Sequence, residues 1–215
     1  MASNTSGLLD QLHQRCIAMG GMVQGCVRFA VEALVSGNAR MAQDVFAGEQ
    51  AIDQEEVEIE KLAINLLALH QPAASDLRMV FAIVKINSDL ERIGDCAVNV
   101  AQQAESLAAN SGIVPRDLRD MARATLKQVE ETVTCYSAKN EALAERICHE
   151  DDAIDALYTQ VFQDARAAMM RDSQTVPSGL AIVIAAKNLE RMGDHCTNIA
   201  ENVLYRMRGT IVRHS

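Results

Sequence analysis

Apolar residues recur along this chain at alternating spacings of three and four. Leu9, Cys16, Val23 and Ala30 fall on one register, interleaved with Leu12, Met19, Cys26 and Ala33. The same two-position seam returns with Leu90, Ala97 and Ala104 against Ile86, Ile93, Val100 and Leu107. It returns again with Ile182, Leu189, Cys196 and Val203 against Ala185, Met192 and Ile199. Seams of this kind belong to helices that bury one stripe against their neighbours in antiparallel bundles. No stretch alternates with the period of two that a half-buried strand needs.

The breaks in the pattern set the element boundaries. Gly37-Asn38, Asn110-Ser111-Gly112 and Lys139-Asn140 interrupt it, and Pro72, Pro115 and Pro177 each stand where a new apolar segment begins. Proline is tolerated in a first helical turn, where its missing N–H has no partner to lose. Six helices are predicted, over residues 5–36, 39–70, 73–109, 115–138, 141–171 and 178–208. Their connections are short, so consecutive helices should run antiparallel.

The six helices form two sets of three. DLERIGDCAVNVAQQ at 89–103 and NLERMGDHCTNIAEN at 188–202 share Leu, Glu, Arg, Gly, Asp, Asn and Ala in register. Upstream, EQAID at 49–53 matches DDAID at 151–155. The predicted fold class is therefore all-α: two tandem antiparallel three-helix bundles related by an internal pseudo-two-fold repeat. The first spans residues 1–112 and the second 113–215, with the boundary in the polar stretch near 110–114.

Composition narrows the function. The chain carries 20 basic and 29 acidic residues, a net charge of −9, which disfavours a nucleic-acid backbone footprint. No uninterrupted apolar run reaches the roughly 18–20 residues of a membrane span. The N-terminal segment lacks the basic-then-apolar order of a signal peptide, so no leader is expected. The cysteines at 16, 26, 96, 135, 148 and 196 form no C-x-x-C pair and mostly occupy apolar helical positions, which predicts buried reduced thiols and a cytoplasmic setting.

Acid pairs stand at corresponding places in both halves: Glu49/Asp53, Glu91/Asp95, Asp151/Asp155 and Glu190/Asp194. Residues four apart share one helix face. With 29 acids in 215 residues, chance alone yields about four such pairs, so the spacing by itself carries little. Repetition in register is what exceeds chance. Paired carboxylates favour hard cations that take oxygen ligands. Heptad phase places them on the flanks and outer faces, beside a groove between neighbouring helices. Gly94 and Gly193 each cost about 1 kcal/mol relative to alanine in a helix interior, which points to close approach of another helix or of a bound group. His195 follows Asp194 directly, so it points about 100° away from it. It does not create the Glu-x-x-His spacing of buried di-iron bundles, and it is expected to be a surface or half-buried residue.

The blocks HQPAASDLR at 70–78, KINSDLERIGDCAVNVA at 85–101 and AKNLERMGDHCTNIAENVLYRMRG at 186–209 resemble the PhoU family of bacterial phosphate regulators. The resemblance implies metal sites on both bundles, built from E(D)xxxD motifs at Glu49, Asp53, Glu91 and Asp95 in the first and at Asp151, Asp155, Glu190 and Asp194 in the second. The ions it implies are divalent or trivalent: Fe, Zn, Mn or Mg. It further implies a homodimer that acts as an adaptor without catalysis. The partners would be the ATPase of a phosphate ABC transporter and a membrane sensor histidine kinase. Such a protein would be cytoplasmic and would reach the inner membrane only through those partners. Two positions depart from the pattern: the second bundle opens its pair with Asp151 rather than Glu, and Ser178-Gly179-Leu180-Ala181 stands near the place of Asp76-Leu77-Arg78. The alternative is a metal-dependent enzyme, an iron-carboxylate oxidase or a phosphohydrolase, on the same helical bundle.

Overall fold

A computed structural model describes residues 2–70, 72–110, 113–149 and 152–210. Helices and their connections account for all of them. The first bundle comprises α1 (Ala2–Ser36), α2 (Ala39–His70) and α3 (Ala74–Ala109). The second comprises α4 (Arg116–Ala138), α5 (Glu141–His149), α6 (Asp152–Arg171) and α7 (Val176–Arg208). This is the predicted pair of three-helix bundles. The third helix of the second bundle, expected over 141–171, is described on either side of residues 150 and 151, as α5 and α6, and those two residues lie outside the described residues. A single 3₁₀ turn, Ser173–Thr175, precedes α7, so that helix starts at Val176 with Pro177 in its first turn.

The chain turns where the sequence breaks. Gly37 adopts a positive φ of 69° between α1 and α2. Lys139 takes the left-handed conformation at φ 52° and ends α4, its N–H and that of Asn140 returning to Tyr136 and Cys135 carbonyls. Asn140 then accepts a hydrogen bond from the Leu143 N–H through its side chain, starting α5.

In the first bundle every helix packs on the other two; in the second, α4 and α7 pack on each other and on both α5 and α6. The bundles join through α3 against α7 and α1 against α4. The predicted seam residues form the core: Leu12, Cys16, Met19, Val23, Ile86, Ile93, Val100, Leu189, Met192 and Cys196 are all buried. One sequence expectation needs qualification. The segment Thr5–Ser36 is long and apolar enough by composition to pass for a membrane span, because its small and apolar residues extend beyond one stripe. Half of its most apolar window is buried by α2, α3 and α4, as befits the central helix of a bundle. All six cysteines are buried and none is in a disulfide, as predicted.

Candidate functional site

Ile52 is fully buried, and its neighbours on α2, Glu49 and Asp53, flank it toward solvent. On α3, Gly94 stands between Glu91 and Asp95. A Cβ at Gly94 would lie 3.4 Å from Ile52 Cδ1 and 3.6 Å from Cγ2. Gly94 therefore faces the packed Ile52 side chain, with room for a Cβ in van der Waals contact but not for a larger group. That packing sets the two acid pairs of the first bundle close enough for Glu49 to feel Asp95 and for Glu91 to feel Asp53.

The electrostatics record this convergence. Burial pushes the Glu49 carboxyl above its ordinary range, and repulsion from Asp53 and from Asp95 across the groove adds to it. Glu91 is raised chiefly by burial, then by Asp95, with Glu56 and Asp53 contributing from α2 and Arg92 opposing. Glu56 is raised in the same way, by burial, Glu60, Asp53 and Asp95, again against Arg92. Partial desolvation and like charge act together here, and both disfavour ionised carboxylates. Glu56 was not among the residues expected from sequence. It lies seven residues after Glu49 and three after Asp53, a helical spacing that places it on the same face.

Arg92 is the cation at hand. Its guanidinium lies 3.4 Å from Glu91 and 3.3 Å from Asp95, yet over half of its side chain is exposed. Among the described residues no three acid, cysteine or histidine side chains surround one point at metal-ligand distance. A cation would have to gather these carboxylates by side-chain rotation, which the long Glu49, Glu56 and Glu91 side chains permit.

The second bundle arranges its acids differently. Asp151 lies outside the described residues. Asp155 and Asp194 are exposed on α6 and α7, and Glu190 is half-buried. Lys187 Nζ sits 2.6 and 2.5 Å from the two oxygens of Glu190. It also lies 5.4 Å from the centroid of the Tyr158 ring on α6. The two acid motifs are further linked across the molecule, because His195 Nδ1 on α7 lies 2.9 Å from Asp89 Oδ1 on α3. His195 is half-buried and pairs with a carboxylate of the other repeat. Neither Lys187 nor Asp89 was singled out from sequence: the Lys187–Glu190 pair is three residues apart on α7 and was legible by spacing, whereas the Lys187–Tyr158 and Asp89–His195 contacts depend on which helix lies opposite.

Comparison with known proteins follows the same two-part organisation. The family model for the PhoU domain matches twice, over residues 17–104 and 118–203. The chain belongs to the PhoU family. It is 37% identical over 209 residues to the phosphate-specific transport system accessory protein PhoU homolog of Pseudomonas aeruginosa, covering 96% of this chain and 86% of that one. It is 31% identical over 207 residues to the phosphate-specific transport system accessory protein PhoU of Escherichia coli K12, with the same coverage of 96% and 86%. Among solved structures, PhoU from Pseudomonas aeruginosa superposes with a TM-score of 0.91 at 36% identity, covering 95% of this chain and 99% of that one. The phosphate transport system regulatory protein PhoU from Streptococcus pneumoniae gives 0.89 at 28% identity, covering 98% and 100%. The PhoU fold thus accounts for this chain nearly end to end.

Proposed function

We propose that this PhoU-family protein is a regulatory adaptor of phosphate homeostasis. It accompanies the phosphate-specific transport system and holds phosphate-starvation genes silent when phosphate is plentiful. It does so by linking the ATPase of a phosphate ABC transporter to a membrane sensor histidine kinase. It acts by binding other proteins rather than by turnover, works as a homodimer in the cytoplasm, and meets the inner membrane through its partners. The observation that carries this reading is the match over 96% of the chain to accessory proteins of that transport system.

The first acid cluster fits a cation in the chemistry of its donors. Glu49, Asp53, Glu56, Glu91 and Asp95 present only carboxylate oxygens, which suit hard divalent or trivalent ions. Mn, Mg and Fe are favoured by such a set, and Zn is accommodated. A bound ion would favour the ionised forms of Glu49, Glu56 and Glu91, which burial and then mutual repulsion disfavour. It would also draw α2 and α3 together at the protein surface, giving the docking face a defined shape. The second set fits less well, because Lys187 already neutralises Glu190.

The deciding experiment deletes the gene and follows phosphate-starvation genes under phosphate-replete growth. Deletion should switch them on, and the wild-type copy should silence them. Normal repression in the deletion strain would overturn the adaptor reading. Rescue by Glu91→Ala/Asp95→Ala would leave the adaptor standing and remove the first metal site from its mechanism.

A further inference from the structure

The two repeats can be compared position by position. Asp53 of α2 corresponds to Asp155 of α6, and Glu91 of α3 to Glu190 of α7. The buried residues agree with this register: Ile52, Ile59 and Ala63 answer to Ile154, Val161 and Ala165, all buried. Carried along each helix, the register places Tyr158 where the first repeat has Glu56, Phe162 where it has Glu60, and Lys187 where it has Ser88. Two acids of the first groove are thus aromatic in the second, and a neutral residue has become a cation.

These replacements act together in space. The Tyr158 and Phe162 rings lie 6.3 Å apart along α6. The Lys187 ammonium stands 5.4 Å from the Tyr158 ring centroid while both oxygens of Glu190 lie within 2.6 Å of it. An ammonium is attracted to an aromatic face and to a carboxylate alike. Glu190 is only 14% exposed at its side chain, so its oxygens are committed to Lys187 rather than to water. In the first repeat the corresponding place holds a serine. Arg92 there makes longer contacts, at 3.3 and 3.4 Å, from a position as open to solvent as that of Lys187 (53% against 47% of the side chain), and the second repeat keeps an arginine, Arg191, at that point too. The arginine is therefore common to both grooves, and the lysine is what distinguishes them.

We propose that the second repeat takes no metal ion because Lys187, held by Glu190 and Tyr158, is its built-in cation, so that metal loads only on the first repeat. This inference builds on the metal-binding part of the proposed function. Cation affinity at carboxylate sites follows the number and charge of the ligands. The second groove has one fewer acid on α6 at the place of Glu56 and carries a resident positive charge that repels any incoming ion.

The test loads full-length protein, stripped with chelator, with Mn²⁺ alone, and reads bound metal by elemental analysis after dialysis. Circular dichroism checks that each variant is folded. Wild type should bind, and Glu91→Gln/Asp95→Asn should lose at least about tenfold in affinity. Glu190→Gln/Asp194→Asn should bind as wild type does. Lys187→Ser/Tyr158→Glu should bind additional metal, and Lys187→Arg should not. A loss of metal in Glu190→Gln/Asp194→Asn, or no gain in Lys187→Ser/Tyr158→Glu, overturns the proposal. If wild type binds nothing while Lys187→Ser/Tyr158→Glu binds Mn²⁺, the role of Lys187 stands and the metal site of the first repeat falls. Failure of all variants to bind overturns both.

Discussion

Asp89, the first residue of the first acid motif, accepts a hydrogen bond from His195 of the second: Asp89 Oδ1 and His195 Nδ1 are 2.9 Å apart. The same oxygen accepts from Asn198 Nδ2 at 3.3 Å. Both Asp89 and His195 are under one-fifth exposed at their side chains. The contact joins α3 to α7, the broadest junction between the bundles, so it is a polar tie across an otherwise apolar interface. Asp89→Ala should lower unfolding free energy by about 1.5–3 kcal/mol, the range for a hydrogen bond to a charged group. Urea denaturation measures this. A double-mutant cycle with His195→Ala should give positive coupling, and additive losses would show that the pair contributes nothing as a pair.

The acid groove makes metal-free stability depend on pH. Glu49, Glu56 and Glu91 have folded pKa values raised above their unfolded ones, mainly by burial and then by neighbouring carboxylates. The folded state therefore binds more protons than the unfolded state across that interval, and stability falls as pH rises through it. The favourable contribution is complete below the unfolded carboxyl pKa and is lost as pH rises through the raised folded values. In chelator, Glu91→Gln should be more stable than wild type near neutrality, and the difference should shrink on acidification toward pH 4. Thermal melts across this range check it. A difference that grows on acidification would contradict the assignment.

Gly94 carries a steric prediction. A Cβ there already meets Ile52 Cδ1 at 3.4 Å, so a larger side chain must push α2 from α3. Gly94→Leu should cost about 1–3 kcal/mol by overpacking, despite leucine's better helix propensity. It should also weaken any cation binding that needs both helices, because Ile52 lies between Glu49 and Asp53. Unchanged stability together with unchanged metal uptake would show that the close approach at Gly94 has no structural consequence.

The thiols should be silent in the native protein. Burial pushes Cys16, Cys26 and Cys135 up to about 12 and Cys96 up to about 11. Thiolate is the reactive form, so native labelling at pH 8 should run at least about a hundredfold slower than in denaturant. Rapid reaction of any of these four in folded protein would show that its helix opens locally.

The helices and their duplication were legible in the chain because both are local. A seam such as Leu9-Leu12-Cys16-Met19 depends only on spacing along one helix, and Gly37, Lys139 and the prolines mark ends through backbone conformation alone. The acid pairs were legible for the same reason, as one turn of a single helix. What only the tertiary structure decided is which helix faces which, and at what rotation. That rotation sets Glu56 beside Asp95, closes Gly94 on Ile52, and carries Asp89 to His195 in the other repeat. It also brings Tyr158 of α6 under Lys187 of α7, adding an aromatic face to the Lys187–Glu190 pair that spacing along α7 already sets. Helical spacing specifies the face on which a side chain lies; the charge it meets there belongs to a neighbour distant in sequence, placed by the packing of the whole core.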